Sequence, residues 1–258
     1  MTGRVALVTG AARGIGAATV RALCAQQYRV VAVDSCRADV PSGVTYPLAT
    51  AADLADTENA GHVVRFEADV RDRAGLDAAV EIAVQRFGRL DAVVAAAAVL
   101  VGGRPLWETP DEHLRTLWEV DVLGVANTAA ACIPVMLSGP DPAACRFVAI
   151  ASAAGERGLF RLAGYCMAKH AVIGLVRGLA ADLAGHGMTT VAVAPGSTRT
   201  AMLAATADLY GVSPDALAGS LGDLIEPEEI AATIAFCCTP EGRVLNGSVV
   251  NADGGFRG

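Results

Sequence analysis

Seven apolar runs of strand length alternate with longer stretches of helical spacing, and this alternation restricts the fold more than any single motif. The runs are residues 5–9, 29–34, 63–67, 92–96, 145–152, 190–195 and 248–251, and the helical stretches are residues 17–26, 73–87, 111–137, 165–184 and 227–237. Parallel strands cannot be joined by a tight hairpin, so each crossover needs a connecting element, usually a helix. The order therefore predicts an α/β fold, a doubly wound parallel sheet with helices on both faces. A length of 258 residues suits one large domain or two small ones, and only one glycine-rich turn from a first strand into a helix is present. A single domain over residues 1–258 is expected.

Two segments depart from the alternation. Residues 35–61 hold Pro41, Gly43, Pro47 and a short helix-like stretch at 51–57, where one crossover helix would suffice. Residues 197–226 carry Met202, Leu203, Leu209, Tyr210, Leu217 and Leu221 among small residues. This second segment reads either as a mobile apolar substrate lid or as a surface helix pair packed on the body.

Charge excludes two classes of partner. With 27 acidic and 20 basic residues the net charge is −7, so no basic field invites nucleic acid or an anionic membrane. The purest apolar run, residues 92–101, is too short to span a bilayer. No leader pattern precedes Val5, which makes the cytoplasm the default location. Seven cysteines without a C-x-x-C pair suggest neither a zinc site nor a disulfide framework, and no metal is expected.

The first strand runs straight into TGAARGIG, which places Gly10, Gly14 and Gly16 between a strand and a helix. Such glycines permit a tight turn and close backbone approach, so the helix N-terminus can present free N–H groups to a pyrophosphate. Strand two ends in Asp34, whose carboxylate can accept hydrogen bonds from ribose hydroxyls and repel a 2′-phosphate, favouring NAD over NADP. Asp34 could equally be a strand-end turn residue. Arg13 and Arg37 offer phosphate contacts. Asp69 could reach the adenine or cap the helix near Asp72.

The chain has one lysine, Lys169, four residues after Tyr165. On a helix these share a face, so the ammonium can favour the ionised phenol. Two unit charges about 4 Å apart at an effective dielectric near 20 interact by roughly 4 kcal/mol, enough to bring a phenol towards neutrality if burial does not outweigh it. The alternative is a packed tyrosine beside a solvated lysine.

With TGAARGIG at the start, Ser152 thirteen residues before Tyr165, Lys169 four beyond it, Pro195 and Gly196 after strand six, and Asp253, Gly254 and Gly255 near the end, the chain resembles the short-chain dehydrogenase/reductase family, with its Rossmann-like fold. The resemblance implies that Tyr165 is the acid/base, that Lys169 lowers its pKa and holds the nicotinamide ribose, and that Ser152 hydrogen-bonds the reacting oxygen. It likewise places Asp69 and Val70 beside adenine, Thr200 at the carboxamide, and Ile15, Ala96 and Thr198 along the cofactor. Two departures stand out. Ala95 to Ala98 replace the family's Asn-Asn-Ala-Gly, and Asp121 stands where the family carries an asparagine of the proton relay. Asp121 is read as an altered relay member.

Residues 35–61 also look like the insertion of short-chain dehydrogenases coupled to mycofactocin, a peptide-derived redox cofactor. That resemblance implies NAD held beneath the segment and electrons passed to an external carrier; a homotetramer is implied by the wider family. The expected activity is interconversion of an alcohol and a ketone or aldehyde, of moderately apolar character. An ordinary reductase with exchanging NADH and a non-catalytic NAD-binding regulator are the alternatives, and the Ser152, Tyr165 and Lys169 set argues against the last.

Overall fold

A computed structural model describes residues 3–57 and 62–257; residues 58–61, part of the expected insertion, lie outside the described residues. Seven parallel strands form one sheet in the order β3-β2-β1-β4-β5-β6-β7. They are β1 (Val5–Thr9), β2 (Arg29–Asp34), β3 (Val63–Glu67), β4 (Ala92–Ala95), β5 (Arg146–Ile150), β6 (Thr189–Pro195) and β7 (Val249–Ala252). The helices are α1 (Gly14–Ala25), α2 (Ala51–Ala55), α3 (Arg73–Phe87), α4 (Asp111–Leu117), α5 (Gly124–Leu137), α6 (Ala163–Asp182), α7 (Ala201–Tyr210), α8 (Pro214–Leu221) and α9 (Pro227–Cys237). Strand order reverses between β1 and β4, so a crevice opens beyond their C-terminal ends, where open α/β sheets bind ligands.

The period-two alternation of strand side chains makes two core layers. Val5 and Leu7 of β1 pack with Leu76 and Val80 of α3, Ala129 of α5 and Val172 of α6. Ala6 and Val8 face the other way, towards Val20 and Leu23 of α1 and Ile230 and Ile234 of α9. Each fully buried Val or Leu contributes roughly 1.5–3 kcal/mol, so a one-residue slip of β1 would forfeit both layers at once.

Local signals set the helix ends. Asp72 caps α3 by accepting from the Ala74 amide, and Gly88 closes it at φ 79° in the left-handed region. Asp72 thus does the capping that was open between it and Asp69.

The predicted helix at 111–137 is interrupted. A π-helical turn, Trp118–Leu123, separates α4 from α5. Each wider turn takes in an extra residue and rotates the face that follows, and Asp121 sits in it, fully buried. By length and composition Asp111–Leu137 could cross a membrane, but 61% of its apolar window is buried inside the fold.

Residues 197–226 form a packed helix pair, α7 and α8, pinned at the neck. The Ile225 amide donates to Ser197 O (2.9 Å) and the Arg199 amide to Ile225 O (2.9 Å). The side chain of Leu221 lies outside the described residues.

Candidate active site

One cavity of about 670 Å³ opens at the switch point, and its wall gathers nearly every residue singled out above. Gly10, Arg13, Gly14, Ile15 and Gly16 line one end with Asp34, Asp69 and Val70; Ala96, Pro195, Gly196, Thr198 and Thr200 line the middle; Ser152, Tyr165 and Lys169 stand at the other end. Asp121 is absent from the wall and lies behind it.

The glycine turn can be no other residue type at Gly16, where a Cβ would come within 1.9 Å of Gly10 O. Helix α1 starts at Gly14, and Arg13 before it supplies no side-chain cap, which leaves the first helical amides for a ligand. Asp34 braces this turn. Its Oδ2 accepts from the Ala12 amide (3.0 Å) and its Oδ1 from the Ser35 amide (2.8 Å), so Asp34 has a strand-end role while it also lines the cavity. Each carboxylate oxygen has two lone pairs, and a ribose hydroxyl can use the second.

The arginines expected to meet phosphate already have partners. Arg13 Nη1 donates to Pro47 O (2.7 Å), while Arg37 pairs with Asp39 and lies 3.7 Å from Asp69. Asp69 is held by Arg71 at 2.6 Å, which keeps its carboxyl below the usual range against the cost of burial. The Ala96 and Ala97 amides donate to Thr9 Oγ1 (3.2 and 3.4 Å), so a threonine from β1 ties this loop. Thr200 caps α7 by accepting from the Leu203 amide (3.3 Å). Gly196 lies so close to Asp253 that a Cβ would meet its carbonyl at 2.6 Å, which joins the ends of β6 and β7.

At the catalytic end Tyr165 and Lys169 share the buried face of α6, with Nζ 5.6 Å from the phenol ring centroid. Lys169 Nζ donates to Ile150 O (3.3 Å) and faces Asp121 Oδ2 at 3.4 Å, both side chains being nearly inaccessible. Asp121 Oδ1 accepts from the Val99 amide (2.8 Å). Burial pushes the Asp121 carboxyl above the usual range, against the pull of Lys169 and that amide. Asp121 Oδ2 has the ion pair but no well-directed hydrogen bond among the described residues.

The acidification of Tyr165 expected from Lys169 meets opposing influences in this arrangement. Burial first, and the Asp121 carboxylate second, hold the phenol above its ordinary value, with Ser152 pulling the other way. Lys169 is half spent on Asp121, a pairing that spacing alone could not reveal. Ser152 Oγ accepts from the Ala154 amide (3.1 Å), which fixes its rotamer and leaves its O–H to donate into the cavity. Cys166 accepts from the Leu159 amide at 3.3 Å and burial raises its thiol, consistent with no chemical role.

Tyr46, unmarked by any motif, also lines the cavity. The Leu100 amide donates to its Oη at 2.9 Å, and Arg13 lies over its ring at 5.7 Å. Residues 35–57 thereby cross the crevice, close enough to α4 that a Cβ on Gly43, at φ +81°, would meet His113 at 2.6 Å. The same segment carries α2, closed by a reciprocal Thr50 and Asp53 capping box.

A sequence-family model described as enoyl-(acyl carrier protein) reductase matches residues 10–257, nearly the full length. A short-chain reductase, NovJ, of Streptomyces niveus is 35% identical and covers 97% of this chain and 93% of its own. The chain belongs to the short-chain dehydrogenase/reductase family. Within it, the (−)-trans-carveol dehydrogenase of Rhodococcus erythropolis is 32% identical over 98% of this chain and 97% of its own length. The crystal structure of carveol dehydrogenase from Mycobacterium avium in complex with NAD superposes with a TM-score of 0.90 at 29% identity, covering 99% of this chain and 98% of that one.

Proposed function

We propose that the protein is an NAD-dependent oxidoreductase that interconverts an alcohol and a ketone or aldehyde, with NAD held beneath residues 35–57 and mycofactocin as the external electron acceptor. The observation that carries this reading is the junction in one cavity of a glycine turn and uncapped helix N-terminus with Ser152, Tyr165 and Lys169. These residues fit a dinucleotide: the α1 amides take the pyrophosphate, Asp34 the adenosine ribose, Asp69 and Val70 the adenine, and Lys169 the nicotinamide ribose. Bound there, the nicotinamide supplies a hydride acceptor or donor at C4. In oxidation Tyr165 would take the hydroxyl proton as hydride leaves the carbinol carbon and the C=O bond forms, its phenolate favoured by the Lys169 ammonium and by the positive charge that bound NAD would bring, against burial and Asp121. Ser152 donates to the reacting oxygen and orients it. Reduction reverses each transfer. A regulator has no use for this base.

Contacts of Arg13 and Tyr46 across the crevice support a cofactor that exchanges slowly. Denaturing the purified protein is expected to release NAD, and turnover is expected with an artificial acceptor and no added NAD. A protein that is empty as purified and releases NADH at every turnover would instead be the ordinary reductase.

Asp121 is a positioning residue acting through Lys169. Its negative charge opposes phenolate formation, and oxidation requires the phenolate. Asp121→Asn is therefore expected to move the acid limb of kcat/KM for oxidation to lower pH. An unchanged pH-rate profile would remove Asp121 from the relay.

Exposed apolar side chains on the π turn, Trp118 and Leu123, and on α6, Met167, support a homotetramer; a single-chain mass in solution would contradict it. Seven unpaired cysteines support residence in the reducing cytoplasm. Detection of the protein in the culture medium would count against that location.

A further inference from the structure

We propose that Tyr46 is the end wall of the substrate chamber and fits it to an uncharged, apolar secondary alcohol or the corresponding ketone. The inference rests on the dehydrogenase reading above and names what that site accepts. Tyr46 comes from the segment outside the strand and helix alternation, yet it is 9% exposed and belongs to one apolar cluster with Leu100, Leu162 and Tyr165. Met202 of α7 packs against the same cluster, its sulfur 3.9 Å from Tyr165 Oη. A substrate whose hydroxyl meets Tyr165 and Ser152 must lay its carbon body against these side chains. The ring of Tyr46 is fixed in place from two sides, by the Leu100 amide at its oxygen and by the Arg13 guanidinium over its face. It is thus a rigid boundary, and the volume beyond it is closed to the substrate.

The class of substrate follows from the charges. The cavity-lining side chains Leu100, Leu159, Leu162, Met202 and Thr206, against which the substrate body would lie, carry no charge, and Lys169 is paired with Asp121. A substrate carboxylate would leave water with no free cation to meet it, and burying an unpaired charge is strongly unfavourable. An apolar body loses only water-exposed area, which favours entry.

The test compares kcat/KM for cyclohexanol, 4-tert-butylcyclohexanol and 4-hydroxycyclohexanecarboxylate in the wild type, Tyr46→Phe and Tyr46→Ala, with NAD affinity measured separately. Tyr46→Ala is expected to shift the ratio of large to small alcohol upward by about tenfold or more, the scale of methylene-sized discrimination in apolar pockets. Tyr46→Phe, which keeps the ring, is expected to keep the wild-type ratio. The wild type is expected to discriminate against the carboxylate by at least about tenfold. An unchanged ratio in Tyr46→Ala, with weakened NAD binding, would make Tyr46 a clamp on the cofactor alone and overturn the proposal. Equal use of the carboxylate would overturn the substrate class. Wild type inert to every alcohol and ketone would sink the dehydrogenase reading, and this one with it. Should Tyr46→Ala fail to fold, Tyr46→Leu carries the same comparison.

Discussion

Replacing Tyr165 by phenylalanine is expected to lower kcat/KM for alcohol oxidation by roughly 100- to 10,000-fold, the contribution of a positioned general base. Folding and NAD binding are expected to survive, because among the described residues the phenol oxygen meets only Met202 Sδ, at 3.9 Å, and the half-buried Ser152 hydroxyl. Its removal leaves no buried protein group without a partner, so stability should change by about 1 kcal/mol or less. Steady-state kinetics, thermal unfolding and NAD titration check the three parts. Retained turnover would remove Tyr165 from the chemistry, whereas lost NAD binding would make it a cofactor residue.

Lys169→Met is the second large effect, and it reaches stability as well as turnover. Lys169 is 2% exposed and Asp121 is fully buried, their charges 3.4 Å apart. Removing one partner strands the other, and breaking such a buried pair costs about 3–5 kcal/mol. For a chain of this size that corresponds to a fall in Tm of roughly 6–20 °C. The double variant Lys169→Met with Asp121→Asn removes the stranded charge, so much of the stability is expected to return. Activity is expected to stay low, since neither change restores a cation beside the phenol and ribose. Tm and kcat/KM measured over the four proteins of this cycle separate the two roles. Additive stability losses would show that the pair is not coupled, and restored activity would show that Lys169 matters only to the fold.

The fold was legible because its causes are local and periodic. Alternating Val5, Leu7 and Ala6, Val8 announce a strand buried on both faces, and α3 occupies the expected residues 73–87, with Asp72 and Gly88 as its caps. The glycine turn likewise advertises its geometry, since only glycine clears the Gly10 carbonyl at position 16. The π turn at 118–123 left no such mark. Its apolar Trp118, Val120, Val122 and Leu123 continue the helical spacing on either side, and one extra residue per turn is lost in the scatter of a 3.6-residue pattern.

The site was legible where one element carries it and obscure where two elements meet. Tyr165 and Lys169 share one helix, so their spacing predicts their proximity. The meeting of Lys169 with Asp121 depends on how the π turn packs against α6, and it alters the electrostatics on which the base depends. Tyr46 stands in a segment rich in proline and glycine with no periodicity, and only the Leu100 amide shows where its ring lies. Asp34 combines both cases: its position at the end of β2 was readable, but its grip on the Ala12 amide was not.

The account stands or falls on hydride passing from the carbinol carbon to NAD held in this cavity, with Tyr165 taking the proton. The direct measurement supplies the NAD-loaded protein with an alcohol deuterated at that carbon, denatures it after a short interval and weighs the released nucleotide. The account predicts NADH carrying a single deuterium from the wild type and next to none, in the same interval, from Tyr165→Phe. Unlabelled NADH formed alongside the ketone, or label appearing at the same rate without the phenol, would contradict it.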